Sequence, residues 1–246
     1  MANVNAGDKI KSNNFGWFEV IELLPKHRAC IRFEGFNSTV VACRRACMQG
    51  SVKNRYAPSV CGIGYLGYGK HKPSTNKSKS KSYVAWSQMI QRCYAKGNRN
   101  ESYIKKGAFV CNEWLNYQAF ADWFCKNYVD DFRLDKDLTV MGNVMYAPQL
   151  CSYIPSEVNL LLGSCNKSRG EWPVGVSRIG KWFRCDVNLG EIRRYTSYHR
   201  SSGAAFDEYK TIKESHVKKT AEEYKQYISS EIYNNLKNWI AIEYPE

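Results

Sequence analysis

The chain has no run of eighteen apolar residues, so no segment reads as a membrane span. Its first residues, Met1 to Lys11, are polar and carry no apolar stretch of the kind that drives secretion, so no leader is expected. No two cysteines are spaced as Cys-x-x-Cys, which excludes zinc ribbons and dithiol redox motifs. Acids are outnumbered: 23 Asp and Glu face 36 Lys and Arg, a net charge of +13. Apolar residues at 43% and charged residues at 24% are ordinary globular values, which excludes global disorder and fibrous structure. The 246 residues are enough for one large domain or two to three small ones, each with a buried core.

What is present is positive charge and aromatic surface. A strong excess of Lys and Arg attracts polyanions, of which nucleic acid is the commonest. Seven Trp and 17 Tyr accompany the charge, and aromatics mixed with cations suit nucleic-acid contact better than charge alone. The ten cysteines are Cys30, Cys43, Cys47, Cys61, Cys93, Cys111, Cys125, Cys151, Cys165 and Cys185. Without a leader they read as reduced thiols packed as small apolar groups, with convergence of scattered cysteines on zinc as the alternative.

Residues 1–60 hold three apolar or β-branched runs: Trp17 to Leu24, Ala29 to Phe33 and Thr39 to Cys43. They are broken at Pro25 to Arg28 and Glu34 to Asn37, the pattern of an antiparallel meander. This part carries nine basic and four acidic residues. Gly62-Ile63-Gly64-Tyr65-Leu66-Gly67 then satisfies the spacing of a dinucleotide fingerprint. That motif needs a helix N-terminus directly after it to meet the pyrophosphate. Here His71 to Lys81 follow, rich in Lys and Ser, so nucleotide binding is rejected and residues 61–82 are expected to be a basic flexible linker. From Gly67 to Lys106 there are ten basic residues and one acid, Glu101. Lys77, Lys79 and Lys81 are therefore expected to track phosphates without reading bases.

Tyr83, Trp86, Ile90 and Cys93 recur at helical spacing, which predicts a helix over Ser82 to Tyr94 capped by Ser82. A second is predicted over Glu113 to Tyr128. A short strand and turn over Phe132 to Met145 and a helix-like run over Pro155 to Leu162 follow. Asn166 to Gly170 reads as a second linker. Three strands are predicted next, at Val174 to Arg178, Lys181 to Leu189 and Ile192 to Tyr198. In the middle one Phe183, Cys185, Val187 and Leu189 share one face, and Trp182, Arg184, Asp186 and Asn188 the other. A helix from about Ser202, with Ala205, Tyr209 and Ile212 inward, and a last helix from Ala221 to Trp239 complete the chain.

Residues 166–200 hold eight basic residues and three acids, whereas the helices after them carry most of the acids of this unit. The sheet is thus expected to be the positive surface and the helix its backing. A small antiparallel sheet can enter the major groove and set Arg against guanine edges. Arg178, Lys181, Arg184, Arg193 and Arg194 are the candidates, with Trp182 and Tyr195 packing on sugars or bases. Gly175-Val176, Gly180-Lys181-Trp182, Ala204-Ala205-Phe206 and Tyr209-Lys210 make this stretch resemble the plant ethylene-response-factor (APETALA-type) DNA-binding domain, which also occurs in phage proteins. The resemblance covers about seventy residues and implies DNA contact through the sheet. In that family the aromatic after Gly-Lys faces the helix, whereas the alternation puts Trp182 outward; a bulge at Phe183 would reconcile the two.

The middle of the chain carries Leu134-Asp135-Lys136-Asp137-Leu138, Gly142-Asn143, Tyr146-Ala147-Pro148 and Pro155-Ser156-Glu157-Val158-Asn159. With these residues it resembles the core of phage HNH endonucleases. The resemblance implies Asp135 and Asn159 as ligands of one divalent cation, Mg²⁺ or another, and Asn143 as the amide that orients the attacking water. The base does not carry over. Lys136 stands where the family has His, and none of His27, His71, His199 and His216 lies in the motif. A lysine is a poor general base at neutral pH unless burial depresses its pKa, and Asp137 is the substitute.

The combination looks like a phage gene product, expected in the cytoplasm of the infected bacterial host. The fold class expected is α+β. It comprises a small β domain over 1–60, the linker over 61–82, an HNH-like α+β domain over 83–165 and a three-stranded sheet packed on helix over 166–246. The function expected is double-stranded DNA binding with a degenerate nuclease core. The alternatives are an active metal-dependent endonuclease, or a protein that binds and inhibits a host protein or ribonucleoprotein; no membrane partner is expected.

Overall fold

A computed structural model describes residues 3–13, 16–97, 100–162, 171–190 and 192–243. It is a mixed α and β protein with a four-stranded antiparallel sheet near the N-terminus and a three-stranded one near the C-terminus. The segment expected as a second linker, Asn166 to Gly170, and Cys165 lie outside the described residues.

The first sheet has strands β1 (Lys9–Ser12), β2 (Gly16–Leu24), β3 (Arg28–Phe33) and β4 (Thr39–Cys43) in sequential order, followed by the short helix α1 (Arg44–Met48). The meander follows from the alternation. Phe18, Val20, Ala29, Ile31 and Phe33 are buried on one face and pack with Cys47 and Val52. Lys26 and His27, both at φ 57°, turn β2 into β3, as the twist of a tight hairpin demands.

The stretch expected as a flexible linker is instead docked on the central unit. Gln118 is buried and staples it: its side chain donates to the carbonyls of Leu66 and His71 and accepts from the His71 amide at 3.0 Å. Beyond it β5 (Ser74–Thr75) and β6 (Ser78–Lys79) form a small exposed hairpin with Asn76 and Lys77 at positive φ.

Helix α2 (Lys81–Tyr94) starts one turn-residue earlier than the spacing predicts. Ser80, not Ser82, caps it, accepting from the Tyr83 amide at 3.3 Å. Ser82 is buried, with its hydroxyl bonded to Tyr117 Oη at 2.9 Å, so it is unavailable as a cap. Next come α3 (Glu101–Lys105), β7 (Phe109–Val110) and a 3₁₀ turn at Asn112–Leu115. The single helix predicted over Glu113 to Tyr128 is thereby split. Asn116 is extended and its side chain caps α4 (Tyr117–Asn127) through the Gln118 amide at 3.0 Å. Trp86, Met89, Ile90, Trp114, Tyr117, Phe120 and Ala121 are fully buried between α2 and α4.

The segment that follows contains β8 (Arg133–Asp135), β9 (Met145–Tyr146), β10 (Ser152–Ile154) and α5 (Ser156–Leu161). β8 pairs antiparallel with β10, and β7 runs parallel to β9. The C-terminal sheet has β11 (Val176–Ile179), β12 (Trp182–Asn188) and β13 (Arg193–Tyr195). Its inner residues Val176, Cys185 and Val187 pack on Ala205, Phe206 and Tyr209 of α6 (Ser202–Glu223). Gly175, at φ +76°, lets the chain pass against the Tyr209 ring, 2.8 Å from where a Cβ would sit.

The last helix predicted from Ala221 onward does not run unbroken. α6 continues to Glu223, a 3₁₀ turn follows at Lys225–Tyr227, and Ser229 caps a separate α7 (Ser230–Lys237). Val217 and Ala221 of α6 with Ile232 and Leu236 of α7 share a core with Leu138, Ile154, Val158 and Leu161. The unit expected from residue 166 onward therefore shares its interior with the segment before it. One 22-residue helix serves two cores, its first half on the sheet and its second half on α5.

Candidate nucleic-acid interface

The register of the C-terminal sheet sorts its cations. Residues opposite each other in antiparallel strands project from the same face. Val176 faces Cys185 and Val187 faces Arg194, which defines the helix side; Ser177 faces Arg184, Ile179 faces Trp182 and Asp186 faces Tyr195 on the open side. The pairing is regular through Phe183, so no bulge turns Trp182 inward. Phe183 takes the inner position, edge-on to Trp172 at 4.9 Å, while Trp182 stays on the open face near Lys181 and Arg200, each within 6 Å of its ring.

Arg184 is the centre of that face. Its guanidinium lies 4.5 Å from the Tyr195 ring and 5.4 Å from the Tyr198 ring, and donates to Tyr198 Oη at 3.3 Å. Both tyrosines are 55% exposed. Arg193 also lies on the open side, across from Asn188, but pairs with Asp186 at 3.4 Å. Arg178 and Arg194 fall on the helix side of the register, with exposed side chains at the sheet margin; Arg178 Nε donates to the Gly180 carbonyl at 3.0 Å. Lys181 sits in the β11–β12 turn. So Lys181, Trp182, Arg184 and Arg193 share one surface and Arg178 and Arg194 do not. Tyr198 and Arg200 belong to it too, with no local pattern to mark them: the strand expected to run to Tyr198 ends at Tyr195, and both lie in the irregular segment after it.

The three lysines of the central segment divide likewise. Lys77 and Lys79 are exposed on the β5–β6 hairpin, Lys79 lying 5.9 Å from the Tyr83 ring. Lys81 instead pairs with Asp130, above Tyr128, and its ammonium holds the Asp130 carboxyl below the usual carboxylate range. The glycines of the fingerprint-like loop serve packing. A Cβ at Gly64 would strike Ile90 and Trp86, at Gly67 the Asn116 side chain, and at Gly69 that of Gln118.

The nuclease-like residues form a brace. Asp135 ends β8, and its Oδ2 accepts from the amides of Asp137 at 2.8 Å and Leu138 at 2.7 Å, an Asx-type turn. Burial pushes its carboxyl above the usual range, against those two amides. Lys136 is buried at 4% exposure; its ammonium bonds Asp137 and donates to the Asn143 carbonyl at 2.9 Å. Asn143 closes the loop: its amide donates to the carbonyls of Lys136 and Met145 at 2.8 Å, and its oxygen accepts from the Met145 amide at 3.0 Å. Both donor hydrogens and one acceptor site of the Asn143 side chain are thus spent on the loop itself. Asn159 is half-buried on α5, and no side-chain hydrogen bond is recorded for it among the described residues.

These residues are largely engaged with the loop itself. One oxygen of Asp135 is committed to backbone amides, the Asp137 carboxylate is matched by the Lys136 ammonium, and that buried cation occupies the position of the family's His. Among the described residues no three His, Cys, Asp or Glu side chains cluster as metal ligands. The described cysteines are all free thiols: Cys47, Cys93, Cys151 and Cys185 are buried, as small apolar groups would be, whereas Cys43, Cys61 and Cys125 are exposed. No described helix is long and apolar enough to cross a membrane. Comparison with protein families, curated proteins and solved structures finds no match to this chain.

Proposed function

We propose that this protein binds double-stranded DNA through the open face of its C-terminal sheet and does not cleave it. The observation that carries this reading is the uncovered surface on which Arg184 lies between two exposed tyrosines, beside Trp182 and Arg200. A half-buried guanidinium held against exposed tyrosine rings, with the exposed Arg200 beside it, is suited to phosphate and base-edge contact. Asp186 is the acid of that face and is matched by Arg193, so the surface keeps a positive excess. The β5–β6 hairpin, with Lys77 and Lys79, adds phosphate contacts that carry no sequence information. The nuclease-like centre acts as a structural brace in this reading, because Lys136 and Asn143 spend their polar atoms on the loop itself.

The test is anisotropy of a labelled duplex titrated with the full chain at rising salt. Affinity should fall steeply with salt, and Arg184→Ala should weaken binding by about tenfold and lower the log–log salt slope by about one. Salt-independent affinity, or an unchanged Arg184→Ala variant, would reject the interface. Plasmid incubated with Mg²⁺ or Mn²⁺ should stay intact; nicking that Asp135→Ala abolishes would overturn the non-cleaving part alone.

A further inference from the structure

We propose that the outer face of the N-terminal sheet is a second nucleic-acid site, specific for single strands. Strand register lines up its residues. Lys11 lies opposite Trp17, and Lys9, Glu19, Arg32 and Thr39 form a row across all four strands. Among the described residues no element packs on the face away from the core, and three large apolar side chains stand exposed there: Trp17 at 46% exposure, Ile21 at 38% and Val41 at 45%. Lys9, Lys11, Arg28 and Arg32 share this face with Glu19 and Glu22; Glu19 is matched by Arg32 at 3.3 Å. No ion pair to Lys9, Lys11 or Arg28 is present among the described residues. An exposed indole flanked by free ammonium groups is a stacking platform beside phosphate contacts.

A second observation points to an unpaired strand over a duplex. At the corner of this face a cavity of about 380 Å³ is lined by Lys9, Glu19, Arg32, Glu34, Phe36 and Asn37. It adjoins the platform, because the Glu34 amide donates to the Trp17 carbonyl at 2.9 Å. The Phe36 ring is backed by Tyr56, stacked at 5.7 Å. An aromatic wall, a side-chain amide and the Glu34 carboxylate can meet the Watson–Crick edge of a base, while Lys9 and Lys11, which have no ion-pair partner among the described residues, hold its phosphates. Only a base released from pairing presents that edge. The site shares no residue with the C-terminal sheet, so it stands or falls apart from the duplex reading.

The probe is a fluorescein-labelled dT12 strand, titrated into the full chain beside a labelled duplex of equal length. Trp17→Ala should weaken dT12 binding about five- to hundredfold, the loss of one stacked base, with duplex affinity unchanged. Trp17→Phe should restore most of the loss, and Lys11→Ala should lower the single-strand salt slope by about 0.7. Because Trp17 is exposed, melting curves of these variants should match the parent. Equal loss on both probes, no loss on either, or displacement of dT12 by polyglutamate at matched charge would overturn the proposal. Arg184→Ala should do the reverse, weakening duplex binding and sparing dT12.

Discussion

Lys136→Met should destabilise the fold without touching any catalytic function. The substitution keeps length and apolar bulk but deletes the ammonium. The Asn143 carbonyl then loses its donor at 2.9 Å. Asp137 loses its partner too, but its side chain is 55% exposed and water replaces the ammonium cheaply. A buried acceptor left unpaired costs about 1–3 kcal/mol, and the relief of desolvating a cation offsets part of that. The net expectation is about 1–2 kcal/mol of lost stability. Asn143→Ala removes three hydrogen bonds at 2.8, 2.8 and 3.0 Å. At about 1 kcal/mol each it should cost about 3 kcal/mol. The two residues share one network, so the double variant should lose less than the sum. Urea unfolding followed by circular dichroism reads all three. If Lys136→Met is neutral and Asn143→Ala costs under about 0.5 kcal/mol, the loop is not braced by these groups and the structural account of the nuclease-like residues is wrong.

Lys213 tests a second buried cation. It is 5% exposed, donates to the Asn188 carbonyl, and burial pulls its pKa down to about 8. A lysine with a lowered folded pKa makes the unfolded chain bind more protons between about pH 8 and 10.5, so stability should rise with pH across that window. Lys213→Met should flatten that rise; an identical slope in the variant would refute the assignment. Two glycines at similar positive φ should respond differently to alanine. Gly180→Ala, at φ +61° with open space around it, should cost about 1 kcal/mol of backbone strain. Gly67→Ala, at φ +64°, also drives a methyl into the Asn116 cap and should cost clearly more; equal midpoints in urea would contradict the packing role given to that loop.

Much of the architecture is legible without coordinates. Apolar runs broken at Pro25 and Glu34 report the N-terminal meander, and period-two alternation in Trp182 to Leu189 reports a half-buried sheet, because adjacent side chains on a strand must point to opposite faces. The same alternation places Trp182 outward and Cys185 inward. Helical spacing of Tyr83, Trp86, Ile90 and Cys93 finds part of the central core for the same geometric reason.

The interfaces depend on contacts between residues far apart in the chain, and no local pattern encodes those. The start of α2 is tied to a distant partner: Tyr117 bonds the hydroxyls of both Ser80, the cap, and Ser82, 37 and 35 positions away. The linker that composition suggests is held down by Gln118, and Lys81 is paired with Asp130. The long helix α6 is shared between two cores because α5, distant in sequence, offers an apolar face to its second half. The amino-acid sequence by itself determined the charge excess, the two-faced C-terminal sheet and the absence of a His in the nuclease-like motif. Only tertiary structure decided which cations remain free, since a charge becomes a binding group or a brace according to the carboxylate, carbonyl or ring that folding brings beside it.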